Sequence, residues 1–186
     1  APLHSYNQKI ATKSQQILQN LVRNSKRIGV TDIIIPCVDQ ASIIDKKASD
    51  RFVRGLTPLL KTAEELNINF ALETDLSPQS FSNLLDRFQS ENISVNYDIG
   101  NSASLGYNPS EEFDAYGHKI TDIHIKDRKF KGGSVILGQG DADFNLIFNE
   151  LRKINYQGIY IMQAFRDDEG IQIFKKQLNW ISSFLV

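Results

Sequence analysis

Several residues that usually announce a special class of protein are scarce in this chain. Of its 186 residues one is cysteine, one methionine and one tryptophan. The lone Cys37 rules out an intrachain disulfide and fits a reducing compartment, expected here to be the cytoplasm. It follows Pro36 at the end of an apolar run, so a buried structural thiol is its expected role. Neither sign of charge dominates. Twenty-one basic and 22 acidic side chains leave a net charge of −1, which supplies no electrostatic footprint for nucleic acid or an anionic membrane. No apolar run approaches the roughly 18–20 residues that a membrane-spanning helix needs. The polar opening APLHSYNQKIATKSQQ lacks the form of a signal peptide, and it begins with Ala, as a processed chain or a piece of a longer one would. Linkers, repeats and low-complexity tracts are missing too. What remains is 41% hydrophobic and 23% charged, enough for one globular domain over residues 1–186 with a real core.

Strand and helix patterns alternate without interruption. Residues 5–28 carry Ile10, Ile17, Leu18, Leu21 and Val22 at helical spacing, and Gly29 follows as a C-cap. TDIIIPCV (31–38) is a β-branched run of the buried-strand kind. A helical stripe of Phe52, Leu56, Leu59, Leu60 and Ala63 predicts a helix over 51–66, before the strand INFALE (68–73). Ser77-Pro78 opens a helix expected to reach about Ser90. ISVNYD (93–98) is a strand, PSEEFDAYG (109–117) a short helix, and ITDIHIKD (120–127) a strand. A helix over 143–154, capped by Asp141 or Asp143, leads to the strand GIYIMQ (158–163) and a closing amphipathic helix over 168–185. Five strands, each followed by a helix, imply βαβ units and a parallel sheet. Length favours an open doubly wound sheet; a leading helix with no strand before it favours the last five strands of an eight-stranded barrel.

Chemistry collects at the strand ends. FALE ends at Glu73, VNYD at Asp98, DIHIKD carries His124 and Lys126, and YIMQ ends at Gln163. Ligands of parallel α/β folds bind outside the carboxyl ends of the strands, where such side chains converge. Two carboxylates, an imidazole and a carboxamide on four successive strands suit a hard or borderline divalent cation. Period-two geometry sets His124, Lys126 and Arg128 on one face of an extended segment, with Lys126 and Arg128 expected to contact substrate oxygen or phosphate. Gly100, after Asp98, is expected to allow a sharp backbone turn. Histidines 4 and 118 have no partner pattern and receive no role.

The motifs YDIGNSASLGY (97–107), ITDIHIKDR (120–128), ILGQGDADF (136–144) and NYQGIYIMQAF (155–165) occur in order over nearly the whole chain. They resemble the xylose-isomerase-like TIM-barrel family, and within it the sugar-phosphate isomerases and epimerases that include L-ribulose- and L-xylulose-5-phosphate 3-epimerases. The resemblance implies an α/β (β/α)8 barrel of which this chain is strands 4–8, with the first three βα units absent. It implies one divalent metal (Mn²⁺, Mg²⁺, Co²⁺ or Zn²⁺) on Glu73, Asp98, His124 and the final strand-end residue, which here is Gln163 rather than Glu. Catalysis then falls to Glu73 as base, Lys126 and Gln163. A sugar or sugar phosphate meets Asn101, Lys126, Arg128 and Arg166, with Gly138 and Gly140 offering amides to phosphate at a helix start. Arg166 has the alternative of pairing with Asp167 or Asp168.

Gln163 opens the alternatives. A carboxamide ligates more weakly than a carboxylate and takes no proton near neutrality, so a two-base epimerisation loses one base. A non-catalytic sugar-binding relative, an inositol-type dehydratase and an abasic-site endonuclease remain as other readings, the last disfavoured by three histidines and net negative charge. A half barrel would leave TDIIIP and GIYIMQ as unpaired apolar edges, which predicts a homo-oligomer or a missing N-terminal segment that completes the wall.

Overall fold

A computed structural model describes residues 2–167 and 170–185. The chain divides into two compact units, residues 1–95 and 96–186. The strand order is β1-β2-β3-β4-β7, all parallel where register is defined, so the expected five-stranded α/β sheet is present.

In the first unit, α1 (Gln8–Arg27) starts at Asn7, whose side chain accepts from the N–H groups of Lys9 and Ile10. It stops before Gly29, which takes the left-handed conformation at φ +77°. Its apolar stripe is only half covered: Leu18 and Val22 are buried, whereas Ile10, Ile17 and Leu21 remain exposed. β1 (Asp32–Cys37) pairs in parallel with β2 (Asn69–Thr74), from Asp32 opposite Asn69 to Cys37 opposite Thr74. α2 (Lys46–Glu65) begins five residues before its apolar stripe predicts, because Asp45 caps it by accepting the Ala48 N–H at 2.6 Å. Phe52, Leu56, Leu59, Leu60 and Ala63 are all buried, as their spacing requires.

α3 (Pro78–Leu85) ends well short of Ser90. Arg87 is drawn outward to Asp50 and Ser49, each at 2.7 Å, while Phe88 turns inward to pack edge-on against Phe52. Two neighbouring residues pulled in opposite directions leave the helical path. β3 (Ile93–Asp98) begins in this unit, with Phe70, Ala71 and Leu72 opposite Ile93, Ser94 and Val95.

β3 ends in the second unit, followed at once by α4 (Ile99–Leu105), α5 (Pro109–Tyr116) and β4 (Ile120–Ile125). α4 replaces the expected sharp turn. Asp98 is its N-cap, Gly100 lies within it, and Gly106 at φ +74° closes it. The predicted strand 120–127 breaks after Ile125; β5 (Asp127–Arg128) pairs antiparallel with β6 (Ser134–Val135) in a separate two-stranded ribbon. α6 (Phe144–Lys153) is capped by Asp143, which accepts the Leu146 N–H at 2.9 Å, and not by Asp141, whose carboxylate accepts the Phe130 N–H. β7 (Ile159–Met162) pairs with β4 from Asp122 opposite Ile159 to Ile125 opposite Met162. α7 (Ile171–Ser182) closes the described chain; the expected helix start at Asp168 lies outside the described residues.

Candidate metal centre

Asp98 is placed by two elements at once. It ends β3, and as N-cap of α4 its Oδ1 accepts the Asn101 N–H at 2.8 Å. That use of one oxygen turns the other, Oδ2, toward His124 Nδ1 at 3.6 Å and Lys126 Nζ at 3.3 Å. His124 stands on β4, and its Nδ1 also lies 3.2 Å from Asn96 Nδ2. Asp98 and His124 are both buried, at 4% and 6% exposure. A buried carboxylate and imidazole at strand ends form a donor pair suited to a divalent cation.

Lys126 follows β4 directly, and its ammonium meets three oxygens: Asp98 Oδ2 at 3.3 Å, Asn101 Oδ1 at 3.4 Å and Gln163 Oε1 at 3.0 Å. Its aliphatic stem runs across Gly100, where a Cβ would come 2.7 Å from the Lys126 Cγ. Glycine is therefore needed at 100 for room and not for a turn. His124, Lys126 and Arg128 do reach the same side, as their alternation predicts.

The other residues expected at the site also have internal partners. Arg128 donates from Nη1 to Asn101 Oδ1 at 2.8 Å and from Nε and Nη2 to the Gly132 carbonyl at 3.0 and 2.8 Å. These bonds to Gly132 close the β5–β6 ribbon. Asn101, expected to face substrate, uses its side-chain oxygen to hold Lys126 and Arg128. Gln163 follows β7, donating its N–H to the Ile125 carbonyl, and its side-chain oxygen is engaged by the Lys126 ammonium. The amides of Gly138 and Gly140 do not await an anion, because the fully buried Asp127 carboxylate accepts from them at 2.9 and 2.8 Å and from Ala142 at 3.3 Å. The chain brings its own anion to this cradle. At Gly140 a Cβ would come 1.8 Å from Asp127 Oδ1, so the fit tolerates no side chain.

Asp127 was legible only by alternation, since it points away from the side taken by Lys126 and Arg128. Arg166 is exposed and, with Lys126, Met162, Gln163, Phe165 and Phe174, lines an open cleft of about 660 Å³. Of its two alternative partners, Asp167 and Asp168, the second lies outside the described residues.

In the first unit, Glu73 stands near the end of β2, opposite Pro36 of β1, and is 7% exposed. Its charge is felt by Cys37. Burial above all, and then the nearby Asp75 and Glu73 carboxylates, push the Cys37 thiol up to about 12, which leaves it inert as expected.

Residues 2–184 match the model of the xylose isomerase-like TIM barrel, and the chain belongs to that family. The SgbU protein of Haemophilus influenzae is 25% identical over 97% of this chain, which spans 68% of its length. An L-ribulose-5-phosphate 3-epimerase, UlaE of Escherichia coli O1:K1, is 23% identical over 98% of the chain, which spans 67% of it. The chain thus covers about two thirds of the length of these curated relatives. Among solved structures, the IOLI protein with a bound zinc atom superimposes with a TM-score of 0.81 at 21% identity, covering 98% of this chain and 74% of that one. The agreement in fold fits a five-stranded part of such a barrel.

Proposed function

We propose that Glu73, Asp98 and His124 hold one divalent metal ion in an isomerase or epimerase acting on a ketose or ketose phosphate. The observation that carries this reading is the buried pair of donors at strand ends in the second unit, in which Asp98 Oδ2 lies 3.6 Å from His124 Nδ1; Glu73 is proposed as the third ligand from its own buried place near the end of β2. The donor chemistry fits: two carboxylates neutralise a divalent charge, and an imidazole suits Mn²⁺, Co²⁺ or Zn²⁺. Relatives that bear epimerase names, and a structural neighbour that carries zinc, support it.

Such an ion, when bound, supplies Lewis-acid stabilisation of negative charge on the sugar oxygens. The chain's own side chains supply the rest. Glu73 is the base that takes the proton from the carbon beside the carbonyl, leaving an ene-diolate. Lys126 is held by three oxygens and presents its ammonium as a hydrogen-bond donor to a sugar oxygen. Gln163 exchanges no proton, so Glu73 returning the same proton to the neighbouring carbon is the route these residues favour. That route is a 1,2-isomerisation, balanced by passage of the hydroxyl proton from the first sugar oxygen to the former carbonyl oxygen. A two-base epimerisation would instead use Lys126 as the second acid.

Elemental analysis of the purified chain, followed by a deuterium-exchange screen over pentuloses, hexuloses and their phosphates, tests the reading. About one equivalent of metal and metal-dependent exchange at a carbon next to the carbonyl are expected. Failure to retain any divalent ion, together with no exchange on any ketose, overturns it.

A further inference from the structure

α5 opens with Pro109 and carries two acids in its first turn, Glu111 and Glu112. An acid there needs no partner beyond the helix dipole and water. Glu111 stays in solvent, yet Glu112 is buried to 2% exposure. Burying a carboxylate is costly unless its oxygens are satisfied. Three hydroxyls satisfy these. Tyr97 donates to Oε2 at 2.8 Å, Ser102 donates to the same oxygen at 2.5 Å, and Tyr116 donates to Oε1 at 2.8 Å.

The origin of those donors gives the cluster a direction. Tyr97 immediately precedes Asp98 on β3, and strand alternation sends its ring to the opposite face, where it packs edge-on against Phe113 at 5.3 Å. Ser102 lies one turn past Asp98 in α4. One carboxylate therefore fastens the residue before Asp98 and the helical turn after it. Tyr116 belongs to Glu112's own helix.

We infer that Glu112 is a positioning residue: through Tyr97 and Ser102 it fixes the β3–α4 junction that aims Asp98 at His124 and Lys126. The inference rests on the metal reading above. It predicts that the two hydroxyls tied to the Asp98 segment govern metal binding, while the third, on the same carboxylate, governs only stability.

Cobalt(II) titration of the 186-residue chain, followed by its ligand-field spectrum and by Tm, separates these roles. Tyr97→Phe with Ser102→Ala should weaken Co²⁺ binding by about tenfold or more, within the range typical of partners that orient metal ligands, and should alter the band intensities. Tyr116→Phe should lower Tm comparably while leaving Co²⁺ affinity and spectrum within twofold of the parent. Ser102→Ala alone is the milder variant that keeps the outcome readable if the pair does not fold. Equal Co²⁺ affinity in all variants despite lower Tm values overturns the inference, as does an equal loss of affinity in Tyr116→Phe. A parent chain that takes up no Co²⁺ overturns the metal reading, and this inference with it.

Discussion

Two aspartates stand in corresponding places, Asp98 where β3 gives way to α4 and Asp127 where the chain leaves β4, and the molecule uses them in opposite ways. Asp127 is wholly buried and accepts three backbone N–H groups from one loop. Its task ends there. Asp98 is nearly as buried, yet only Oδ1 serves the backbone, while Oδ2 faces an imidazole and an ammonium. A carboxylate fully occupied by amides holds a loop in shape. One that gives a single oxygen to the backbone has the other left for chemistry.

The contrast is open to attack at several strengths. Asp98→Ala should act on binding: Co²⁺ or Mn²⁺ affinity is expected to fall by more than the roughly 10–100-fold seen when only an outer partner is lost, read by calorimetric titration. Its Tm should change far less. Asp127→Ala should do the reverse, because orphaned buried donors cost about 1–3 kcal/mol each. A loss of several kcal/mol in urea unfolding is expected, and equal damage from the two substitutions to metal binding would erase the distinction.

Smaller effects sharpen it. Gly140→Ala forces a methyl group toward the Asp127 carboxylate and should cost about 1–3 kcal/mol by urea midpoint, as overpacking does elsewhere. Cys37 offers a pH test away from both aspartates. Its folded thiol keeps its proton up to about 12, against an ordinary value of 9.0. Unfolded chains therefore release that proton first, so the stability the buried thiol confers is complete below about pH 9 and is lost as pH rises through 12. Between those limits the thiol's share of the slope is at most about 1.4 kcal/mol per pH unit, and Cys37→Ala should remove that share, measured by denaturant midpoints from pH 8 to 10. The smallest change is Gln163→Glu, which converts the hydrogen bond to Lys126 into a partly exposed ion pair worth about 0–1 kcal/mol.

Much of this was readable from residues alone, for a definite reason. Short apolar runs that end at Glu73 and Asp98 or carry His124 hold the strand signal together with the candidate donors, so the pattern that gives the fold also points to where chemistry is expected. Asp45 was harder to see: the cap lies before the apolar stripe of α2 begins, where periodicity is silent. α4 was missed because Ile99-Gly100-Asn101-Ser102 has the composition of a turn, and Asp98 read as a strand end hides its second use as a helix cap. The internal partners of Arg128, Gly138 and Gly140 were hidden for the same reason. Cations and glycine amides look available in a sequence until the structure shows an internal partner, Asn101 and Gly132 in one case and Asp127 in the other. Glu112 carried no local signal, since a second acid in a first turn looks like any solvated one.

Gly100 carries a last lesson. A lysine has four flexible bonds and ordinarily sweeps a wide volume, but here its hydrocarbon tail lies in a channel that exists only because a helix nearby has a hydrogen where other residues carry a methyl. The room for one cation's stem is thus set by a residue that never touches its charge, and filling that notch with alanine would force the Lys126 stem aside without altering a single polar group.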